Sequence, residues 1–84
     1  MNILISPEIS PGALHAIRID PAKLRAARQS FGLTLIAAAS RLGIRTRQML
    51  HSYESGRCVT PADVLARMCV LYHCQIEDFT VTEK

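Results

Sequence analysis

Two threonines, each followed by a short helix-forming run closed by a glycine, narrow what this chain can fold into. Thr34 precedes Leu35-Ile36-Ala37-Ala38-Ala39-Ser40-Arg41-Leu42 and then Gly43, while Thr46 precedes Arg47 to Glu54 and then Ser55-Gly56. A threonine hydroxyl satisfies a free amide at a helix start. Glycine adopts the left-handed conformation that ends a helix without a Cβ clash. The pattern predicts two short helices joined by the tight turn Gly43-Ile44-Arg45-Thr46. The first is rich in small residues and can lie close under the second, which opens on the long hydrogen-bonding side chains of Arg47 and Gln48.

The same punctuation extends in both directions. Asp20 as a cap and Pro21 at the first helical position predict a helix to about Ser30, ended by Gly32. Ser55-Gly56-Arg57-Cys58-Val59 reads as a loop, and Thr60-Pro61 as a second cap-plus-proline start. The helix after it runs to about Tyr72, with Val64, Leu65, Met68, Cys69 and Leu71 as its buried stripe. Gln75 to Phe79 reads as one short final turn. Residues 1–19 differ: Pro7, Pro11 and Gly12 break them into pieces, and Ile17 and Ile19 alternate with Ala16 and Arg18 in the period of a strand. Phe79 to Thr82 alternates likewise. These terminal segments are expected to pair as short strands, with each other or across a dimer, backed by the helical body. The organisation expected is an arm over 1–19 that contacts a second copy or a partner, a helical domain over 20–79, and a tail over 80–84.

At 84 residues, 49% of them apolar, the chain has enough for one small core, and with 5% aromatic residues that core must be aliphatic. The net charge of +3 suits a nucleic-acid partner without requiring one. Its distribution says more, since Arg41, Arg45, Arg47 and Arg57 fall in a stretch whose one acid is Glu54. Three cysteines, Cys58, Cys69 and Cys74, form no spaced framework and read as reduced thiols of a cytoplasmic protein. The start has no basic segment before its short apolar run, so export or membrane insertion is not expected.

Polar side chains on the exposed first turn of a helix are what base recognition in the DNA major groove needs. Arginine presents two donors to the two acceptors of guanine, and glutamine pairs bidentately with adenine. Arg47 and Gln48 are the first candidates for base contact, with His51 and Ser52 one turn further on. The competing reading is an ordinary solvated helix start. Arg41, Arg45 and Arg57 read as phosphate contacts that position without reading sequence, or else as scattered surface charge. Cys69, His73 and Cys74 suggest a metal, but no spacing of the CxxC type supplies a fourth ligand, and core cysteines fit better. No nucleophile–base pair, carboxylate pair or glycine-rich phosphate loop is suggested, so neither an enzyme nor a bound cofactor is expected.

From Leu24 to Phe79 the order of signals resembles the phage repressor and Cro (XRE-like) class of helix-turn-helix DNA-binding domains. The matching residues are Leu24-Arg25, Arg28, Gly32-Leu33-Thr34, Ala39, Leu42-Gly43-Ile44, Leu50, Tyr53-Glu54-Ser55-Gly56, Pro61 and Ile76-Glu77-Asp78-Phe79. The resemblance implies a compact, all-α, five-helix, lambda-repressor-like fold. It also implies a homodimer, probing double-stranded DNA through the major groove at an inverted-repeat operator and repressing transcription. Residue by residue, it places Arg47, Gln48 and Ser52 at base-reading positions and Thr46 at a cap facing phosphate. Arg28 and Glu54 take the positions of a structural ion pair. Four features depart from the class. The central turn is one residue longer, Leu35 replaces a DNA-contacting glutamine, and His73 replaces a glycine. Ala38 replaces a larger aliphatic, with Ile36 expected to fill the space. Cys58-Val59 and Ile76-Phe79 are expected to be exposed apolar groups in a single copy, and so are the expected dimer contacts. A second function stays open: an antitoxin or other protein-interaction module on the same fold, using residues 1–19 to hold a partner such as a toxin.

Overall fold

A computed structural model describes residues 18–81. Four α-helices and a closing 3-10 helix make up these residues: α1 (Pro21–Ser30), α2 (Leu35–Leu42), α3 (Arg47–Ser55), α4 (Ala62–Tyr72) and the 3-10 helix Ile76–Phe79. The fold is all-α, and the fifth helix implied by the resemblance is this one 3-10 turn.

Local chemistry sets the boundaries. The Ala22 amide donates to the Asp20 carboxylate (3.0 Å), the Ala37 amide to Thr34 Oγ1 (3.1 Å) and the Met49 amide to Thr46 Oγ1 (3.1 Å), so three helices carry side-chain caps. The expected cap on α4 is absent. Pro61 occupies its N-cap without a side-chain bond, and Thr60 is instead buried. The fixed φ of Pro61 sets the entry without a capping hydroxyl.

All four helices end alike. An amide five residues on returns to a carbonyl of the last turn: Leu33 to Arg28 (3.2 Å), Ile44 to Ala39 (2.9 Å), Arg57 to Ser52 (3.0 Å) and Cys74 to Cys69 (2.9 Å). A left-handed residue makes each return feasible. It is glycine at the first three ends and His73 (φ 57°) at the fourth, where the imidazole packs against Phe31 in a tilted arrangement with ring centroids 5.4 Å apart.

The core comprises Leu24, Ala38, Ala39, Leu42, Leu50, Val64, Met68, Tyr72 and Phe79. α1 packs on α3, and α2 lies between α3 and α4, while the 3-10 helix closes over α1 and α4. Ala38 and Ala39 let α2 approach its neighbours closely. Ile36 does not fill the space left by Ala38, as expected above; it is 63% exposed on the outer side of α2. Residues one position removed from the core stripe rotate about 100° away from it, which turns Ile36 outward. Phe79, expected to be exposed, is fully buried.

Among the described residues there is no strand. Ile19 and Thr80 form one isolated antiparallel bridge, flanked by bonds from the Asp20 amide to the Phe79 carbonyl (2.7 Å) and the Val81 amide to the Arg18 carbonyl (2.8 Å). Lys23 Nζ adds a bond to the Thr80 carbonyl (2.7 Å). The chain therefore joins its own two terminal segments beside α1, and a bridge stands where strands were expected. The remainder of the arm and residues 82–84 lie outside the described residues.

Candidate nucleic-acid interface

The candidate residues gather at the junction of α2 and α3. A shallow concavity there is bordered by Ile36 and Ser40 from α2 and by Arg45, Thr46, Arg47 and Gln48 from the turn and first turn of α3. Its location follows from the two ends that form it. Gly43, left-handed at φ 72°, reverses the chain after α2, and Thr46, extended at φ −136°, restarts it. Ile44 tucks its side chain, half-buried, against the core, which leaves Arg45 outward.

Thr46, Arg47 and Gln48 are exposed. As the cap and the first two residues of α3, they surround amides that have no partner further back in the helix. The end therefore offers both donors and the positive pole of the helix dipole. Arg47 and His51 share one side of α3, and Gln48 and Ser52 the next, by the four-residue spacing. His51 is exposed and Ser52 half-buried. Ser52 also accepts at its carbonyl from the Arg57 amide (3.0 Å) and the Cys58 amide (3.3 Å), which fixes the start of the loop carrying exposed Arg57. Arg41 lies apart from this group, exposed in the last turn of α2 beside Ala66 and Val70 of α4. One end of α3 thus brings together Arg45, Thr46, Arg47 and Gln48, with His51 and Ser52 a turn on, whereas Arg41 and Arg57 stand at separate margins.

The far end of α3 is anchored. Arg28 Nε donates to Glu54 Oε2 at 2.8 Å and its Nη2 to Oε1 at 3.0 Å, with side chains 8% and 2% exposed. This fork-to-fork pair is the strong geometry for arginine and carboxylate. Arg28 Nη1 also donates to the Leu33 carbonyl (2.9 Å), tying the pair to the end of α1. Sequence reasoning did not find this third bond, because no residue pattern marks a carbonyl as an acceptor. Next to the pair, the Tyr72 hydroxyl is buried with no hydrogen-bond partner among the described residues. Burial and the nearby Glu54 carboxylate push its pKa up to about 12.

Among the described residues no group of histidines, cysteines or acids is placed to hold a metal ion, and no helix is long and apolar enough to cross a membrane. An exposed, capped helix end, held by a buried ion pair behind it and by a glycine-ended helix beside it, is the layout of a helix-turn-helix. A family model described as a helix-turn-helix domain matches residues 22–79. The chain belongs to this family. No curated protein and no solved structure matches it. As a helix-turn-helix domain it is of a DNA-binding type.

Proposed function

We propose that this helix-turn-helix protein is a sequence-specific transcriptional regulator of the phage repressor and Cro type, binding an inverted-repeat operator as a homodimer and repressing by occlusion. The observation that carries this is the pairing of Arg47 and Gln48, exposed side by side on the first turn of α3, with a buried Arg28–Glu54 pair anchoring the same helix. Arg47 and Gln48 read base edges and His51 and Ser52 extend the contact. The amide end beyond Thr46 meets a phosphate, and Arg41, Arg45 and Arg57 neutralise phosphates around it. The DNA-binding unit is residues 20–79. Val59, 91% exposed, and Ile76, on the 3-10 helix, are the apolar groups offered to a second copy.

The test is selection from a randomised duplex library, with wild-type protein and an Arg47→Ala/Gln48→Ala double variant. An inverted-repeat motif that the variant loses while its circular dichroism stays native supports the reading. Absence of enrichment from folded wild-type protein refutes it.

A second reading, an antitoxin or similar protein-interaction module, draws on one specific feature. An apolar cleft lined by Ile19, Pro21, Tyr53, Cys58 and Val59 opens beside Arg18, the first described residue. A protein partner seated there would co-purify with the full chain and be lost on deleting residues 1–12.

A further inference from the structure

The four helix ends share one hydrogen-bonding plan, but the residues it brings together differ. In this motif the residue that accepts the returning bond and the residue that donates it are held close together, and their side chains are frequently in contact. At the ends of α1, α2 and α3 these pairs are Arg28 with Leu33, Ala39 with Ile44, and Ser52 with Arg57. At the end of α4 both are cysteines, Cys69 and Cys74, joined by an amide-to-carbonyl bond of 2.9 Å.

That bond limits how far apart they stand. Standard backbone dimensions on either side of it keep the two Cα atoms within about 6.8 Å, and closer because the path is bent. Disulfides bridge Cα separations of about 4.4–6.8 Å. The two thiols also sense each other, since a charge on Cys74 raises the pKa of Cys69. Both are free and partly exposed, so a small oxidant has access. Burial, then the neighbouring Asp78 carboxylate, and for Cys69 also Glu77, disfavour the thiolates. Closure is therefore driven by proximity and not by an activated nucleophile.

We propose that Cys69 and Cys74 form a dithiol site that closes to an intramolecular disulfide across the end of α4, with a low-molecular-weight disulfide such as oxidised glutathione as the oxidant. One protein thiol loses its proton and attacks a sulfur of oxidised glutathione, forming a mixed disulfide and releasing one glutathione. The second protein thiolate attacks the protein sulfur of that mixed disulfide and releases the other glutathione. Two protein thiols are oxidised, and one glutathione disulfide is reduced to two thiols. The cross-link spans left-handed His73 and ties α4 to the connection leading into the 3-10 helix. Cys58, exposed in the loop after α3, lies outside the pair.

The experiment uses the full chain carrying Cys58→Ser, which removes intermolecular coupling through that thiol. The protein is incubated with oxidised glutathione at mildly alkaline pH, alkylated without reduction, and analysed by peptide mass spectrometry. The expected product is a monomer lighter by two hydrogen atoms, with Cys69 and Cys74 in one linked peptide and neither alkylated. Its formation rate should be independent of protein concentration, and dithiothreitol should reverse it. A further Cys74→Ser change, with native circular dichroism, should trap glutathione on Cys69, because no resolving thiol remains. Stable glutathione adducts on both cysteines of the Cys58→Ser protein, or full alkylation of both after that incubation, would overturn the proposal.

Discussion

The two ends of α3 are built on opposite terms. Its first turn presents Thr46, Arg47 and Gln48 to solvent, whereas its last turn sinks Glu54 into a paired, nearly solvent-free contact with Arg28. Nine residues thus pass from a surface whose charges are free to meet a ligand to an interior where a charge must be matched. A reading helix needs both conditions, since base recognition requires side chains placed within fractions of an ångström and an unanchored helix would spread them. The lesson is that the charges of one helix divide by burial, and the variants that follow should divide the same way.

The largest effect belongs to the buried end. Glu54→Ala leaves the Arg28 guanidinium buried beside the Leu33 carbonyl alone, and breaking such a pair from one side costs about 3 kcal/mol or more. Urea titration should show that loss. If the variant is as stable as wild type, the anchoring role of the pair fails. At the other end, Arg47→Ala/Gln48→Ala should leave the urea midpoint nearly unchanged while weakening a selected operator by roughly 1–3 kcal/mol for each bidentate contact removed. Comparable damage to folding from both variants would erase the contrast.

Thr46→Ala removes the cap itself and should cost about 1 kcal/mol of stability by thermal or urea unfolding. Smaller still are the outlying arginines. Replacing Arg45 or Arg57 by Ala should lower the slope of log affinity against log salt by about 1 each and leave the preferred sequence unaltered. A change in sequence preference would move that arginine into the reading set.

Tyr72 offers a test by pH alone. Its hydroxyl titrates near the ordinary tyrosine value of 10 when unfolded and near 12 when folded, so between these the folded state holds more protons. Stability should be undiminished by this group below pH 10 and fall as pH rises toward 12. Tyr72→Phe should remove that decline. It should also leave neutral-pH stability equal or slightly higher, because it deletes a buried hydroxyl with no hydrogen-bond partner among the described residues.

Much of the fold was legible because its signals are local. Caps at Asp20, Thr34 and Thr46 and left-handed ends at Gly32, Gly43 and Gly56 act within a few residues, and each is present. The positions of Arg47 and Gln48 followed from the same signals, since a cap defines which side chains form the first turn. Three expectations turned on packing and came out differently. Ile36 was expected to fill the space left by Ala38 and lies outside the core. Phe79 was read as exposed and is at the centre of it. Thr60 was read as a cap and is buried. In each case the residue type allowed either outcome, and burial in the assembled core decided.

By itself, then, the sequence determined where the helices start and stop and which polar side chains stand at the head of α3, because capping and glycine geometry depend only on nearby atoms. It also placed two cysteines at positions whose meaning is not visible along the chain. Tertiary structure alone decided that Arg28 spends its three bonds on Glu54 and the Leu33 carbonyl, and that the terminal segments bridge at Ile19 and Thr80. Those outcomes join groups far apart in sequence, and they exist only once the burial of a shared core has brought them within reach.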